Sequence, residues 1–410
     1  MKQFFVTIFK TPMLLVFCVI VIVYGFAALA TPAEINRYAI VTAIGIDALE
    51  NEEEKFEVSL LTFVPVANQS FTENYKVVSS KGNSIAEALD YSGLHVGREI
   101  GLSHIKTVVL NGNLLDQDVT QFLDYLSRNE SLPTSTKLVS TDVSAKDFLK
   151  TAKGLDSDSS IKISDLVNFN SHYIYAVDSS FDTFYHGLYG PTKVSLIPCL
   201  SVEEMDEGLS VAVTDAPSGS GSSGGSEQQS KDILNNGDTY VLKDGKLVLK
   251  IDGNDLSNIN YFLNDSRSGT IEIDNFSDEN FTDANLVFEI LSKETKNKVV
   301  FENDIPVFCV NTNISLNLTE VQSQQSRVEN NVEFFKITDT ALREIEKSVK
   351  KSMTEALTLM RENQVDIVDF YTKIANAHPF KFKNFLQKLE DPEDYLNHIV
   401  FKVSVNVLSK

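Results

Sequence analysis

Between Met13 and Ala30 the chain reads MLLVFCVIVIVYGFAALA, eighteen residues without a charge and with one glycine. As a helix rising about 1.5 Å per residue it covers roughly 27 Å, close to the thickness of a hydrocarbon core. Lys2 and Lys10 precede it, and Glu34 is the first acid after it. The positive-inside rule then puts the N-terminus in the cytoplasm and residues 31–410 outside. Residues 1–30 therefore read as a transmembrane anchor or a signal. Ala28-Leu29-Ala30 fits the small-x-small pattern of a cleaved signal, although the run is longer than the usual apolar region of one. Lipidation at Cys18 is a third reading, opposed by Phe17 where a small residue is needed. All three put the bulk of the chain on the outer face of a membrane.

That external part holds all of the acid. With 36 basic and 57 acidic residues the net charge is −21, which excludes a nucleic-acid binder, since phosphate neutralisation needs a basic face. It also repels an anionic lipid surface. Cys18, Cys199 and Cys309 are too far apart for a disulfide framework or a CxxC metal site, and buried free thiols are expected for the last two. Apolar residues make up 42 % and charged ones 23 % of 410 residues, ordinary usage for two to four globular domains.

Strand and helix signals alternate through 31–203. Strands are expected at Ala39–Asp47, Lys55–Val66, Asn74–Ser79, Ile105–Leu110, Thr136–Ser140 and Val194–Leu200. Helices are expected from Asn83 or Ser84, with Glu87 completing a capping box from Ser84, over Leu115–Ser127, from Ser144 through Ala152 and at Ile163–Tyr173. This order suggests an α+β or mixed sheet with helices on one face. Residues 204–235 read as a flexible linker around APSGSGSSGGSEQQS at Ala216–Ser230. Its glycines spell G-x-G-x-x-G (Gly219, Gly221, Gly224) and G-x-S-x-G (Gly221, Ser223, Gly225), but a low-complexity run offers neither motif its strand-to-helix context.

Residues 236–277 form a small second unit. Tyr240–Leu242 and Lys246–Ile251 flank Asp244-Gly245, a type I′ hairpin signal; Asp255 is a candidate cap for a helix to Leu263, and Thr270–Asp274 is a further strand. The block 278–410 has strand candidates at Ala284–Leu291, Lys298–Phe301 and Val307–Leu318. A helix follows from Thr338 or Asp339 to about Glu362, with Ala341, Ile345, Val349, Ser352, Ala356 and Met360 on one stripe. A second helical stretch starts near Val365, and Pro379 punctuates before Phe380–Leu389. The chain closes on an alternating strand with Phe401, Val403, Val405 and Val407 on one face.

Chemistry-bearing constellations are weak. None of the six histidines pairs at i,i+4 or lies near a Cys; His95 and His104, nine apart, read as a turn histidine and a strand-end histidine. Asp252-Gly253-Asn254-Asp255 lacks the spacing of a calcium loop, and no nucleophile elbow supports a Ser/His/Asp triad. No catalytic, cofactor-binding or metal residue is assigned, and no cofactor.

The order of segments carries a resemblance. Glu34-Ile35-Asn36-Arg37-Tyr38-Ala39-Ile40-Val41-Thr42-Ala43-Ile44-Gly45-Ile46-Asp47 resembles the opening of the Ger(x)C spore-germination family, the C subunits of nutrient germinant receptors. Gly101–Leu110 (GLSHIKTVVL) is similar to its His-centred strand, Phe122–Asn129 (FLDYLSRN) to the helix after it, and Ser195-Leu196-Ile197-Pro198 to the end of its first domain. Tyr240–Leu247 (YVLKDGKL) resembles the hairpin of its second domain, and Gln364–Phe370 (QVDIVDF) its helix–Ala-Asp-Ile–Gly-Phe passage. The resemblance covers about residues 34–408. It implies three α+β domains on the outer surface of the spore inner membrane. It also implies a non-enzymatic role beside an integral-membrane A subunit and a transporter-like B subunit.

Three positions depart from that pattern. Ala30-Thr31-Pro32 stands where the family has a lipidated Cys, which favours the transmembrane reading. Phe385–Leu389 lacks the family's Trp, and Asp369 replaces the Gly before Phe. The expected fold class is thus α+β: an N-terminal membrane-spanning helix followed by three α+β domains with mixed or antiparallel sheets. The expected function is that of a membrane-anchored extracytoplasmic germinant-receptor subunit that docks on the A and B subunits. An extracytoplasmic solute-binding protein and an exported hydrolase are the alternatives.

Overall fold

The computed structural model describes residues 12–29, 38–49, 54–63, 75–155, 163, 167, 172–204, 232–264, 267–323 and 337–409. Helix α1 (Pro12–Leu29) opens the chain. Its described side chains, Val16 to Gly25, are apolar or glycine and all exposed except half-buried Cys18. Among the described residues no helix is long and apolar enough to cross a membrane.

The first sheet has nine strands in the order β3-β2-β1-β5-β6-β7-β8-β9, with β4 beside β1. β1 (Tyr38–Ala48), β2 (Phe56–Phe63) and β3 (Tyr75–Gly82) form an antiparallel meander. β4 (Glu99–Gly101) and β5 (Thr107–Asn111) run parallel to β1, and β6 (Lys137–Thr141) parallel to β5. β7 (Val194–Glu204) then pairs with β8 (Asp232–Lys243), and β8 with β9 (Lys246–Ile251), both antiparallel. The 236–277 hairpin is therefore laid on the edge of the first sheet. Its turn residues Asp244 (φ 50°) and Gly245 (φ 77°) both adopt positive φ, as type I′ requires.

The linker expected over 204–235 overlaps both strands, with Glu204 opposite Asp232. Its polar ends read as loop but pair in a ladder, where backbone groups rather than side chains make the contact. Residues 205–231, with both glycine motifs, lie outside the described residues, as does most of the expected Ile163–Tyr173 helix.

Helices cover both faces of this sheet, not one. α2 (Ile85–Val96), α4 (Thr120–Arg128) and α6 (Phe181–Tyr189) enclose a core with Ile44, Leu60 and Leu110. α5 (Ala145–Leu155) covers the other face, where Phe148 and Leu149 meet Ala43, Leu61 and Val109. Residues one apart on β1, β2 and β5 thus point into different cores, which is why those strands are continuously apolar rather than alternating. The helix expected at Leu115–Ser127 is split into α3 (Gly112–Leu115) and α4. The α2 cap forms as read, Glu87 N–H donating to Ser84 Oγ at 3.2 Å, while Glu87 Oε2 accepts from Asn83 N–H at 2.7 Å.

The second sheet runs β10-β11-β12-β13. β10 (Thr270–Phe276), β11 (Ala284–Glu302) and β12 (Ile305–Ser323) are antiparallel, and β13 (Val400–Ser409) is parallel to β12. β11 fuses the two strands expected at Ala284–Leu291 and Lys298–Phe301. Of the intervening polar residues Lys293 and Thr295 are buried, their side chains reaching the end of helix α7 (Gly253–Asn260). Lys293 Nζ donates to the Asn260 and Leu263 carbonyls, at 3.0 and 2.5 Å, and Thr295 Oγ1 donates to Tyr261 O at 2.9 Å. They satisfy the orphan carbonyls at a helix C-terminus. The α7 cap is Asp252, accepting from Asp255 N–H at 2.8 Å, rather than Asp255 itself.

Helix α8 (Asp339–Glu362), capped by Thr338, buries Ala341, Ile345, Val349, Met353, Ala356, Leu357 and Met360 on this sheet. α9 (Phe370–Ala377), α10 (Pro379–Leu386) and α11 (Tyr395–His398) complete the layer.

Candidate functional site

An open cleft of about 1260 Å³ sits at one end of the first sheet. Its walls come from the start of β1, the turn after α2, β4 and the end of α4, and include Tyr38, Leu94, Arg98, Glu99, His104 and Tyr125. Gly97, at φ 68°, ends α2 in a left-handed cap that lets the chain turn back into β4. β4 then pairs with Tyr38–Ile40. His104 is exposed on the cleft rim. His95 instead faces Ser80, its Nδ1 2.9 Å from Ser80 Oγ. The two histidines thus take separate places, and among the described residues no three His, Cys, Asp or Glu side chains converge as a metal site.

Asp366, Lys373 and Arg361, whose pKa values burial displaces, lie away from this cleft and hold backbone. Asp366 is buried. Its Oδ1 accepts from Phe370 N–H at 2.9 Å, and its Oδ2 from Tyr371 N–H at 2.8 Å and Tyr395 Oη at 2.5 Å. Burial raises its pKa above the ordinary carboxylate value, against the lowering effect of these donors. Lys373, whose ammonium burial pulls down, donates to Val368 O at 2.6 Å. Arg361 donates to Leu396 O and Ile399 O at 3.0 and 2.8 Å. Together they lock the α8–α9 connection onto α11.

In the first sheet Asp47 plays the corresponding part. It accepts from Ala145 N–H at 2.7 Å and Lys146 N–H at 3.1 Å, capping α5 across the sheet, and burial raises its pKa. Lys146 Nζ in turn meets Glu57 Oε1 at 2.6 Å.

Cys199 is buried and free, and Cys309 is half-buried and free. Burial pushes the Cys199 thiol up, so it is held as the weakly nucleophilic thiol. Asp47's donors lie 98 and 99 residues on, so no local signal marks it; the backbone donors of Asp366 lie four and five residues on, and only Tyr395 is distant.

The chain is a two-sheet α+β scaffold in which buried Asp47 and Asp366 and half-buried Lys373 hold its own backbone. Residues 32–202 match the family model described as spore germination protein N-terminal domain. Residues 237–408 match the one described as spore germination B3/GerAC like, C-terminal. The solved structure described as "Crystal Structure of the GerBC protein" shares the fold, with a TM-score of 0.50 at 16% identity, over 90% of this chain and 98% of that one. No curated protein matches the chain. The chain belongs to the Ger(x)C family of germinant-receptor C subunits, and its role lies in spore germination.

Proposed function

We propose that the chain is a membrane-anchored, extracytoplasmic and non-enzymatic receptor subunit. In this reading it docks on the integral-membrane A and B subunits and helps pass nutrient binding on to ion and dipicolinate release. The observation that carries the anchoring is α1. Val16, Phe17 and Tyr24 are 57%, 64% and 77% exposed, and such a row of apolar side chains is favourable only inside lipid or against another protein. With Lys2 and Lys10 before it and every acid after it, the external placement of residues 38–409 follows the positive-inside rule.

Deleting the gene abolishes germination in response to at least one nutrient, while spore formation proceeds. Unchanged germination across a nutrient panel overturns the proposal. In fractionated spores the intact chain stays with the membrane after alkaline carbonate extraction, and a chain starting at residue 30 does not.

A further inference from the structure

Phe380 is 83% exposed, more than any other large apolar side chain among the described residues. It occupies the second position of α10, PFKFKNFL. The helix is held to the core by Phe382 and Phe385, which are buried. Phe382 packs edge-on against Tyr371 at 5.0 Å between ring centroids. Two residues correspond to about 200° of helix rotation, so Phe380 points away from the core as long as Phe382 points in.

Its neighbours are basic. Lys381 and Lys383 are both exposed, and no acid occurs from Pro379 until Glu390. Lys381 Nζ lies 5.7 Å over the Phe301 ring. Of the acids on the packed β11–β12 turn, Asp304 is engaged by Lys388 at 2.8 Å and Glu302 by Lys402 at 2.7 Å. The tip of α10 is therefore a local positive spot on a chain whose net charge of −21 otherwise repels anionic lipid.

Folding gains little from this arrangement beyond the exposed cation–π contact of Lys381 with Phe301. A cation in the first helical turn opposes the helix dipole, α10 has no side-chain cap, and an exposed Phe costs hydration. An aromatic ring beside two ammonium groups suits the boundary of an anionic bilayer. There the ring reaches the acyl chains while the lysines meet phosphates.

We infer that Phe380, Lys381 and Lys383 seat the C-terminal part of the chain on an anionic lipid surface, a second membrane contact besides α1. The inference rests on the anchoring reading above. The chain has no tryptophan, so Phe380→Trp supplies a single fluorophore at the proposed contact. The full-length F380W chain is reconstituted into vesicles of phosphatidylglycerol and phosphatidylcholine, and flotation reports anchoring independently.

The expected result is a blue-shifted tryptophan emission, quenched by lipids brominated near the headgroup end of the acyl chain. Lys381→Gln with Lys383→Gln lowers the ratio of seated to unseated tryptophan by about 25-fold, at about fivefold per lysine, and pure phosphatidylcholine lowers it likewise. A chain that floats while its tryptophan emits as in water overturns this inference and leaves the anchor standing. A chain that does not float overturns both. A blue shift that needs the A and B subunits and escapes bromine quenching assigns the spot to a protein partner and overturns the lipid contact.

Discussion

Tyr395 Oη donates to Asp366 Oδ2 at 2.5 Å, joining α11 to the segment between α8 and α9 across twenty-nine residues of chain. Asp366 is only 3% exposed, so water does not replace a donor that is lost. Tyr395→Phe removes one donor and leaves the ring packing against Tyr371 and Phe382. The expected cost is about 1–3 kcal/mol, the range for leaving a buried polar group short of a partner. Urea unfolding checks it: a midpoint shift at unchanged slope is expected.

The same carboxylate sets a pH dependence. Burial raises the pKa of Asp366 and also that of Asp47, in each case against the lowering effect of the donors around it. A carboxyl whose folded pKa exceeds its unfolded one binds its proton more tightly when folded. Its contribution is fully present below the unfolded pKa and is lost as pH rises through the folded one. Asp366→Asn cannot titrate, so the stability gap between the intact chain and this variant narrows as pH rises from about 4 toward neutrality. Denaturant midpoints of both proteins over that range test it; a gap that widens with pH reverses the sign assigned here.

Gly45 and Asp47 point to the same face of β1 and meet the same helix. A Cβ on Gly45 would lie 3.0 Å from Ala145 Cβ and 3.1 Å from Ala145 O, while Asp47 caps that helix through Ala145 N–H. Gly45→Ala pushes on backbone that has no rotamer to yield, and costs about 1–3 kcal/mol. Asp47→Ala takes the acceptor from Ala145 and Lys146 N–H, while Ser144 Oγ still accepts from Asp147 N–H, and costs about 0.5–2 kcal/mol. Because both act on α5's position, the double variant costs less than the two losses added, which a double-mutant cycle by thermal unfolding measures.

These positions also show what was readable in the chain. The Asp244-Gly245 turn, the Ser84 cap, the α8 stripe and the alternating β13 are set by local chemistry, and each appears where its residues place it. What failed was non-local. Lys293 and Thr295 look like a break in β11 until α7's carbonyls are laid over them. Helices on one face were expected because apolar runs do not say which residue points which way; only Ala43 and Ile44 entering different cores reveals a two-sided sheet. The family resemblance rested on order across the whole chain, and its Asp47 turns out to be a cap whose donors lie 98 and 99 residues on.

Thr107, on β5, is fully buried, and its Oγ1 has no hydrogen-bond partner among the described residues. A buried hydroxyl without a partner carries its desolvation cost uncompensated. Thr107→Val keeps the shape and β-branching, so it stabilises by about 1 kcal/mol. Thr312, equally buried, is the contrast: its Oγ1 lies 3.3 Å from Tyr261 O and 3.2 Å from Thr295 Oγ1. Thr312→Val strips the carbonyls after α7 of a donor and destabilises by about 1 kcal/mol or more. The two variants are the same chemical change at the same burial, so opposite shifts in melting temperature isolate hydrogen bonding from packing; shifts of the same sign show that packing around the added methyl decides instead.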